Sequence, residues 1–461
     1  MFFMPNSSQD VLRGLRVLVI GFARQGQALA RWLPTVGAQA IVTDHRPQDD
    51  LDADIRDFPN VRFVLGGHPL ELLDQTDVVC LSGGVPLTLP IVQEAARRSI
   101  PVTNDAQLFL ERCPAPVIGI TGSAGKTTTT TLVGDIMKKA GVSTWIGGNI
   151  GKVLLDVMMG IRPEHRVVME LSSFQLELTR TSPHIGAVLN ITPNHLDRHG
   201  TMENYMRAKA QILAHQSESD IAVLSRDDPG SRALETMVQG ELVWFSQREI
   251  VSDGAFMVGQ RVVVAGLAST TGEPQIVCEV EDIPLRGEHN VSNVLAACAI
   301  AGAAGVPAEA MTEAIKAFKP VPHRLETVRV VNDVTYVNDS IATSPERVVA
   351  ALRSYEETLV LLAGADKKLS WDEMVLLALH KCRHIIAFGR DGDIVVEAVK
   401  RFTGNTERVT RVQRLNEAVA EAAKVAQPGD VVLLSPGGTS YDAYRDFEER
   451  GAHFRQLVMA L

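Results

Sequence analysis

Short apolar runs rich in Val, Ile and Leu alternate along this chain with stretches whose hydrophobic positions recur at helical spacing. Side chains alternate faces along a strand, so an uninterrupted apolar run marks a strand buried on both sides. Such strands alternating with helices predict an α/β fold of parallel sheets covered on both faces. Three blocks of the pattern follow one another, with no short-period repeat. The first opens with RVLVIG, ending at Gly21, and continues with QAIVTD to Asp44 and DVVCLSGG to Gly84. Its exit is IPVTNDAQLFLERCPAP, whose prolines bracket a connecting helix. The second block begins at VIGITG and includes RVVMELSS (166–173) and IGAVLNIT (185–192). It becomes strand-rich after Ile221 and turns helical from His289. FKPVPHRLE (318–326) carries two prolines and reads as a linker. The third block holds VTYVNDS, TLVLLAGAD, HIIAFG and DVVLLSPGG, with a last helix over 441–458. Domains of 1–112, 113–320 and 321–461 are therefore expected.

Composition changes this picture little. The chain has 461 residues, 45% of them hydrophobic, enough for several cores. A net charge of -10 gives no general attraction for nucleic acid. The five cysteines (Cys80, Cys113, Cys278, Cys298, Cys382) contain no CxxC pair and read as reduced packing thiols. MFFMPNSSQDVLRGL lacks the apolar core of a signal peptide. The most apolar helical stretch, Val294 to Val306, is far shorter than the roughly 20 residues needed to span a bilayer. The expectation is a cytoplasmic protein with neither membrane nor nucleic acid as partner.

One stretch changes the picture most: GITGSAGKTTTTTLVGDIM, Gly119 to Met137. It closes an apolar run, turns through glycines and becomes helical. Glycines let successive N–H groups point inward, and the positive end of the helix faces the same spot. Lys126 adds a full charge, and the Thr127 hydroxyl can ligate Mg²⁺. The strict Walker pattern wants glycine where Ile120 stands, so the fit is the shorter GxxGKT, Gly122–Ser123–Ala124–Gly125–Lys126–Thr127, with Thr128 following. A solvated glycine turn would explain neither the strand before it nor the threonines after it. Those threonines are poor helix formers, and part of the run is expected to pack.

Further candidates stand at strand ends. Glu170 follows RVVM, at the edge where open parallel sheets gather ligands, and could join Thr127 on Mg²⁺. His195 lies in the polar loop NITPNHLDRHG after another apolar run. Lys209, in TMENYMRAKAQIL, would by itself be a solvated helix lysine. The first block superficially suggests a dehydrogenase. GFARQG, however, has Ala23 where GxGxxG needs its second glycine, although Asp44 stands where an NAD enzyme keeps its ribose acid.

TGSAGKTT, MELSSFQLE, NITPNHLDRHGTMENYMRAK, GEHNVSNVLAA, PHRLE, VNDSIAT and LLSPGGTSYDAYRDFEERG occur in one order over essentially the whole chain. Together they resemble the Mur ligases of peptidoglycan synthesis. The resemblance implies a Rossmann-like first domain holding a UDP substrate, a phosphate-loop ATPase domain, and a Rossmann-like third domain receiving an amino acid. It implies ATP, two Mg²⁺ ions, and amide formation through an acyl phosphate. It implies UDP-N-acetylmuramoyl-L-alanine and glutamate as substrates, and a monomer. By position, Lys126, Thr127, Glu170 and His195 match phosphate and magnesium residues, and Lys209 matches a lysine that carries a carbamate. Asn290 and Asn293 match adenine-side asparagines, and Arg324 and Asp339 match nucleotide contacts of the third domain. Arg24, Gln25, His45, Arg46, Ser82, Gly84 and Asn149 match substrate loops. Ser440 and Tyr444 match the end of the chain that receives glutamate.

The sequence departs from the family at VNDSIAT, where Ile341 replaces a typical lysine near the amino-acid end, leaving Lys367 or Lys368 to meet the glutamate carboxylates. That change leaves the handedness of the added glutamate open. A non-ligase ATPase on the same fold, an NAD dehydrogenase led by the first block, and a folylpolyglutamate-type ligase remain as other readings. The Rossmann-like opening block argues against the last.

Overall fold

A computed structural model describes residues 10–51, 53–319, 322–364, 371–438 and 443–461, with the Asp197 side chain outside that description. The fold is α/β, with twenty strands in three sheets among the described residues. The first sheet contains β1 (Arg16–Ile20), β2 (Gln39–Asp44), β3 (Val61–Leu65), β4 (Val78–Leu81) and β5 (Val102–Asn104). These lie in the order β3-β2-β1-β4-β5, all parallel, which is the Rossmann arrangement. β1 sits between β2 and β4, so the loops at Gly21, Asp44 and Ser82 leave one edge together.

The second sheet holds β6 (Val117–Thr121), β7 (Thr144–Gly148), β8 (Arg166–Glu170), β9 (Ile185–Val188), β10 (Ile221–Ser225), β11 (Glu241–Ser246), β12 (Gly254–Val258), β13 (Arg261–Ala265) and β14 (Gln275–Glu279). Their order is β14-β13-β12-β11-β10-β9-β6-β8-β7. The pairs from β7 to β12 are parallel; β13 and β14 add antiparallel hairpin strands, a departure from the all-parallel expectation. The third sheet comprises β15 (Glu326–Val331), β16 (Val334–Asn338), β17 (Leu359–Ala363), β18 (Cys382–Ala387), β19 (Val409–Arg411) and β20 (Val431–Leu434), in the order β15-β16-β20-β17-β18-β19. Only β15 is antiparallel there.

The chain divides into two compact units, 1–282 with 292–318, and 283–291 with 319–461. In the first unit one apolar core runs continuously from Val17 and Val19 through Phe109 to Met169 and Leu224, joining the first two sheets. Helix Asp105–Arg112 lies at that joint. Asn104 caps it, accepting from the Gln107 N–H at 2.9 Å, while its Nδ2 donates to the Gln175 carbonyl at 2.8 Å. In the second unit, separate cores cover the two faces of the third sheet, one around Leu361 and Leu433 and one around Val360, Leu434 and Phe454. The VLAACAI stretch is buried in helix Glu288–Ala303, and no helix among the described residues is long and apolar enough to cross a membrane.

The last helix begins at Phe447 rather than near 441, because Asp446 caps it by accepting from the Glu449 N–H at 2.8 Å. The exit segment of the first block is a strand, β5, followed by the helix expected there.

Candidate active site

Strand β6 lies between β8 and β9, with Ile120 opposite Glu170 and Thr121 opposite Val188. Three loops therefore leave the same edge: the glycine loop after β6, the Glu170 corner after β8 and the Asn190–His195 loop after β9. Here the strand order changes direction, where ligands of open α/β sheets bind. The glycine loop enters helix Lys126–Lys139 through Gly125 at φ 83°. A β-carbon on Gly125 would sit 2.2 Å from Asn293 Oδ1, so backbone angle and space both demand glycine. Asn190 clamps the loop. Its carbonyl accepts from the Ser123 N–H at 2.9 Å, its Oδ1 accepts from the Ala124 N–H at 2.8 Å, and its Nδ2 donates to the Ala124 carbonyl at 3.2 Å. Ser123 Oγ donates to the Thr192 carbonyl at 2.9 Å and shares a hydrogen bond with Tyr205 OH at 3.0 Å. Thr128, Thr129 and Thr130 are buried in the helix, and their hydroxyls meet no partner among the described residues, so this part of the threonine run packs.

Two lysines converge on this loop. Lys126 Nζ donates to the Gly122 carbonyl at 2.8 Å. Lys209 Nζ donates to the same carbonyl at 2.8 Å and to Thr121 Oγ1 at 3.3 Å, and lies 4.8 Å from the centre of the Tyr205 ring. Lys209 is only 1% exposed, far from the solvated residue its helix pattern suggests. Burial pushes its pKa well below the usual lysine value, the Lys126 charge pushes it further, and Glu170 opposes. The carboxylate of Glu170 is buried too. It accepts from Thr127 Oγ1 and from Asn149 Nδ2, both at 2.9 Å. A hydroxyl beside a buried carboxylate is a hard oxygen donor pair that suits Mg²⁺. Among the described residues no cluster of three His, Cys, Asp or Glu side chains could hold an ion unaided. That fits an ion which keeps water and phosphate oxygens as its other ligands. His195 is exposed at φ 54°, its ring edge-on to Phe174 at 5.2 Å.

At the first sheet's edge, Asp44 is sequestered by its own loop. Its carboxylate accepts from the Phe22 N–H at 2.7 Å, the Arg46 N–H at 2.9 Å and Arg46 Nε at 3.0 Å; His45 Nδ1 stands 3.3 Å away. Burial opposes ionisation there, but Arg46 and the two N–H groups prevail and hold the carboxyl down at about 2. An acid so occupied is a poor candidate for ribose recognition. Gln25 is buried against Gly83, Ser82 Oγ accepts from the Gly26 N–H at 3.1 Å, and the Gly84 carbonyl accepts from Arg198 Nη1 at 2.8 Å. Arg24 crosses to the second sheet, donating to the carbonyls of Asn149 at 2.7 Å and Gly151 at 3.1 Å. The first unit thus brings Arg24, Gln25, Ser82, Gly84 and Asn149 into adjoining loops, and Asn293 against the glycine loop.

In the second unit, Asp339 is buried and accepts from Ser435 Oγ at 2.8 Å and the Leu325 N–H at 3.3 Å. Burial drives its pKa up to about 7, against the pull of Ser435, Arg324, the Leu325 N–H and Arg347. Arg324 also stands close enough to His289 to help burial lower that imidazole to about 4. Asn290 Nδ2 donates to the Arg286 carbonyl at 2.7 Å, and Tyr444 OH pairs with His453 Nδ1 at 2.8 Å. Lys367, Lys368 and Ser440 lie outside the described residues. Asn190, Tyr205 and Ser435 are participants that no sequence signal singled out. Tyr205 had the strongest available hint, standing four residues before Lys209 on one helix face.

Known proteins resemble this chain along its length. Residues 15–104 match the Mur ligase MurD-like N-terminal domain, 120–301 the Mur ligase middle domain, and 323–438 the Mur ligase glutamate ligase domain. The UDP-N-acetylmuramoylalanine–D-glutamate ligase of Pelotomaculum thermopropionicum is 40% identical over 97% of this chain and 98% of its own. The ligase of the same name from Symbiobacterium thermophilum is 42% identical, with the same coverage of 97% and 98%. Among solved structures, the UDP-N-acetylmuramate–alanine ligase of Thermotoga maritima superposes with a TM-score of 0.60 at 16% identity, over 97% of this chain and 99% of the other. A pseudomurein peptide ligase type C from Methanothermus fervidus gives 0.58 at 19% identity, over 97% and 100%. Those two structures share the fold. The chain belongs to the Mur ligase family. Within it, the full-length relatives above are the D-glutamate-adding ligases.

The glycine loop yields a direct test. Gly125→Ala should weaken ATP binding by more than about tenfold, since the left-handed backbone and the Asn293 contact both resist a β-carbon. Titration of the variant with ATP reads the loss; unchanged affinity would contradict the loop's role.

Proposed function

We propose that this chain joins D-glutamate to UDP-N-acetylmuramoyl-L-alanine with ATP, a step in making peptidoglycan precursors. The observation that carries the reading is the meeting of the glycine loop, Lys126, Thr127–Glu170 and buried Lys209 at one sheet edge, in a chain whose D-glutamate-adding relatives match it end to end. A carboxylate does not react with an amine at neutral pH, because oxide is an impossible leaving group. In the proposed reaction the substrate carboxylate attacks the γ-phosphoryl group, forming an acyl phosphate and releasing ADP. The glutamate amine then attacks the acyl carbon, and inorganic phosphate leaves. Lys126 steadies the transferring oxygens from the loop. Two Mg²⁺ ions, held by Thr127, Glu170, His195 and a carbamate on Lys209, would supply further charge neutralisation.

The lysine's surroundings support the carbamate. Only the neutral amine reacts with CO₂, and burial beside Lys126 favours that form. The adduct replaces a positive charge with a negative one beside the metal position. Gly122–Thr128, Asn290, Asn293, Arg324 and Asp339 form the nucleotide site in this reading. Arg24, Gln25, His45, Arg46, Ser82, Gly84 and Asn149 form the UDP-substrate site. Glutamate is received by Lys368, Ser440 and Tyr444. Arg347 is a further cation near the position of the missing lysine, donating to the Ile341 carbonyl at 3.0 Å. The domains run 1–112, 113–320 and 321–461, and the enzyme acts as a cytoplasmic monomer.

Phosphate release with ATP and UDP-N-acetylmuramoyl-L-alanine, compared across D-Glu, L-Glu and other amino acids, tests the reading. Release that depends on D-Glu supports it; release without any amino acid, or with L-Glu alone, overturns it. Lys209→Ala should lose activity by roughly a hundredfold or more and regain part of it with added short carboxylic acids. Full loss with no rescue by any such acid would overturn the carbamate.

A further inference from the structure

Helices Ser173–Leu176 and Leu196–His199 are each a single turn, too short to hold their shape unaided. They follow directly on Glu170 and His195, so whatever pins them aims both groups. Buried His199 does the pinning, through one hydrogen bond and one close charged contact. His199 Nε2 meets Ser173 Oγ at 2.9 Å, and His199 Nδ1 meets Glu177 Oε1 at 2.9 Å. The order serine, histidine, carboxylate has the form of a nucleophile array. Ser173 is only 3% exposed, however, so the line serves as a brace.

Phe174 gathers three neighbours from the facing turn. Its ring lies parallel to His199 at 5.3 Å and 4°, meets His195 edge-on at 5.2 Å, and carries the Arg198 guanidinium 4.6 Å from its centre. Arg198 then reaches out of the second sheet's loops altogether, Nη1 donating to the Gly84 carbonyl at 2.8 Å. Gly84 sits at φ 93° in the loop after β4, where a change of backbone angle meets no side-chain barrier. The pieces form one continuous path: the Gly84 loop, the Arg198 guanidinium, the Phe174 ring, and the His195 imidazole beside it.

We infer that Arg198 and Phe174 are positioning residues that couple occupancy of the first domain's nucleotide-sugar pocket to the arrangement of the phosphoryl-transfer edge. The inference rests on the proposed function for the identity of the two ligands. Coupling of this kind is reciprocal: ATP analogue and sugar nucleotide must tighten each other's binding by the same factor. Coupling between two sites typically changes affinity by roughly fivefold or more.

The test is calorimetric binding of UDP-N-acetylmuramoyl-L-alanine to the full chain, with and without a non-hydrolysable ATP analogue and Mg²⁺. The wild type should bind the sugar nucleotide at least about fivefold more tightly with the analogue present. Arg198→Ala should cut that ratio below about twofold while binding of the analogue alone stays within about twofold of wild type. Phe174→Leu, which keeps the apolar bulk, should do the same, and the double variant should lose nothing further. A purely structural part would weaken both ligands alike and leave the ratio intact. Retention of the wild-type ratio in both variants, or a wild type whose ligands bind independently, overturns the coupling alone. A wild type that fails to bind the sugar nucleotide overturns the proposed function and the coupling together.

Discussion

Two ammonium groups, those of Lys126 and Lys209, donate to the single carbonyl of Gly122. Everything at the site is arranged around that conflict. A buried lysine loses the hydration of its charge, and a second cation nearby makes the charged form less favourable still. Lys126 must stay charged to act on phosphate, so the strain falls on Lys209, whose proton is the easier to lose. Once neutral, the amine becomes a nucleophile for CO₂, and the product has the opposite sign. In the proposed carbamate form, an arrangement that is repulsive for two lysines would become attractive for a lysine, a carbamate and a metal. The Tyr205 ring and the Thr121 hydroxyl, which lie against Lys209 Nζ, would then enclose the proposed ligand.

The architecture explains why such a crowded site can exist. Strand β6 is flanked by β8 and β9, so phosphate loop, Glu170 and the Asn190 clamp emerge together without any long excursion of the chain. The same device operates in the first sheet, where β1 lies between β2 and β4. There Arg46 and backbone N–H groups have claimed Asp44, so in this dinucleotide-like fold the acid at the ribose position is already occupied. Arg24 and Arg198 bridge the two sets of loops in opposite directions, each ending on backbone carbonyls of the other set.

Much of this was legible in the sequence because buried parallel strands are written as apolar runs. RVLVI, VIGIT, RVVME and LVLLA each became a strand inside the expected apolar run. Several of the strands that escaped are short or half exposed. β5 is three residues behind Pro101, β19 is three residues, and β3 is only partly buried, so none carries a sufficient run. The phosphate loop was visible because its chemistry is local. Lys209 was not, except through family resemblance, because its burial depends on Gly122, 87 residues earlier. Asn190 and Tyr205 act across 66 and 82 residues, and no spacing rule reaches that far.

The central claim is that Lys209 carries a negative charge rather than a positive one in the working enzyme. Carbon-13 NMR of the protein equilibrated with labelled bicarbonate observes that charge at its source. The account predicts one slowly exchanging carbamate resonance in the wild-type protein, absent from Lys209→Arg. A spectrum with no such resonance, or one that persists in the arginine variant, would contradict it.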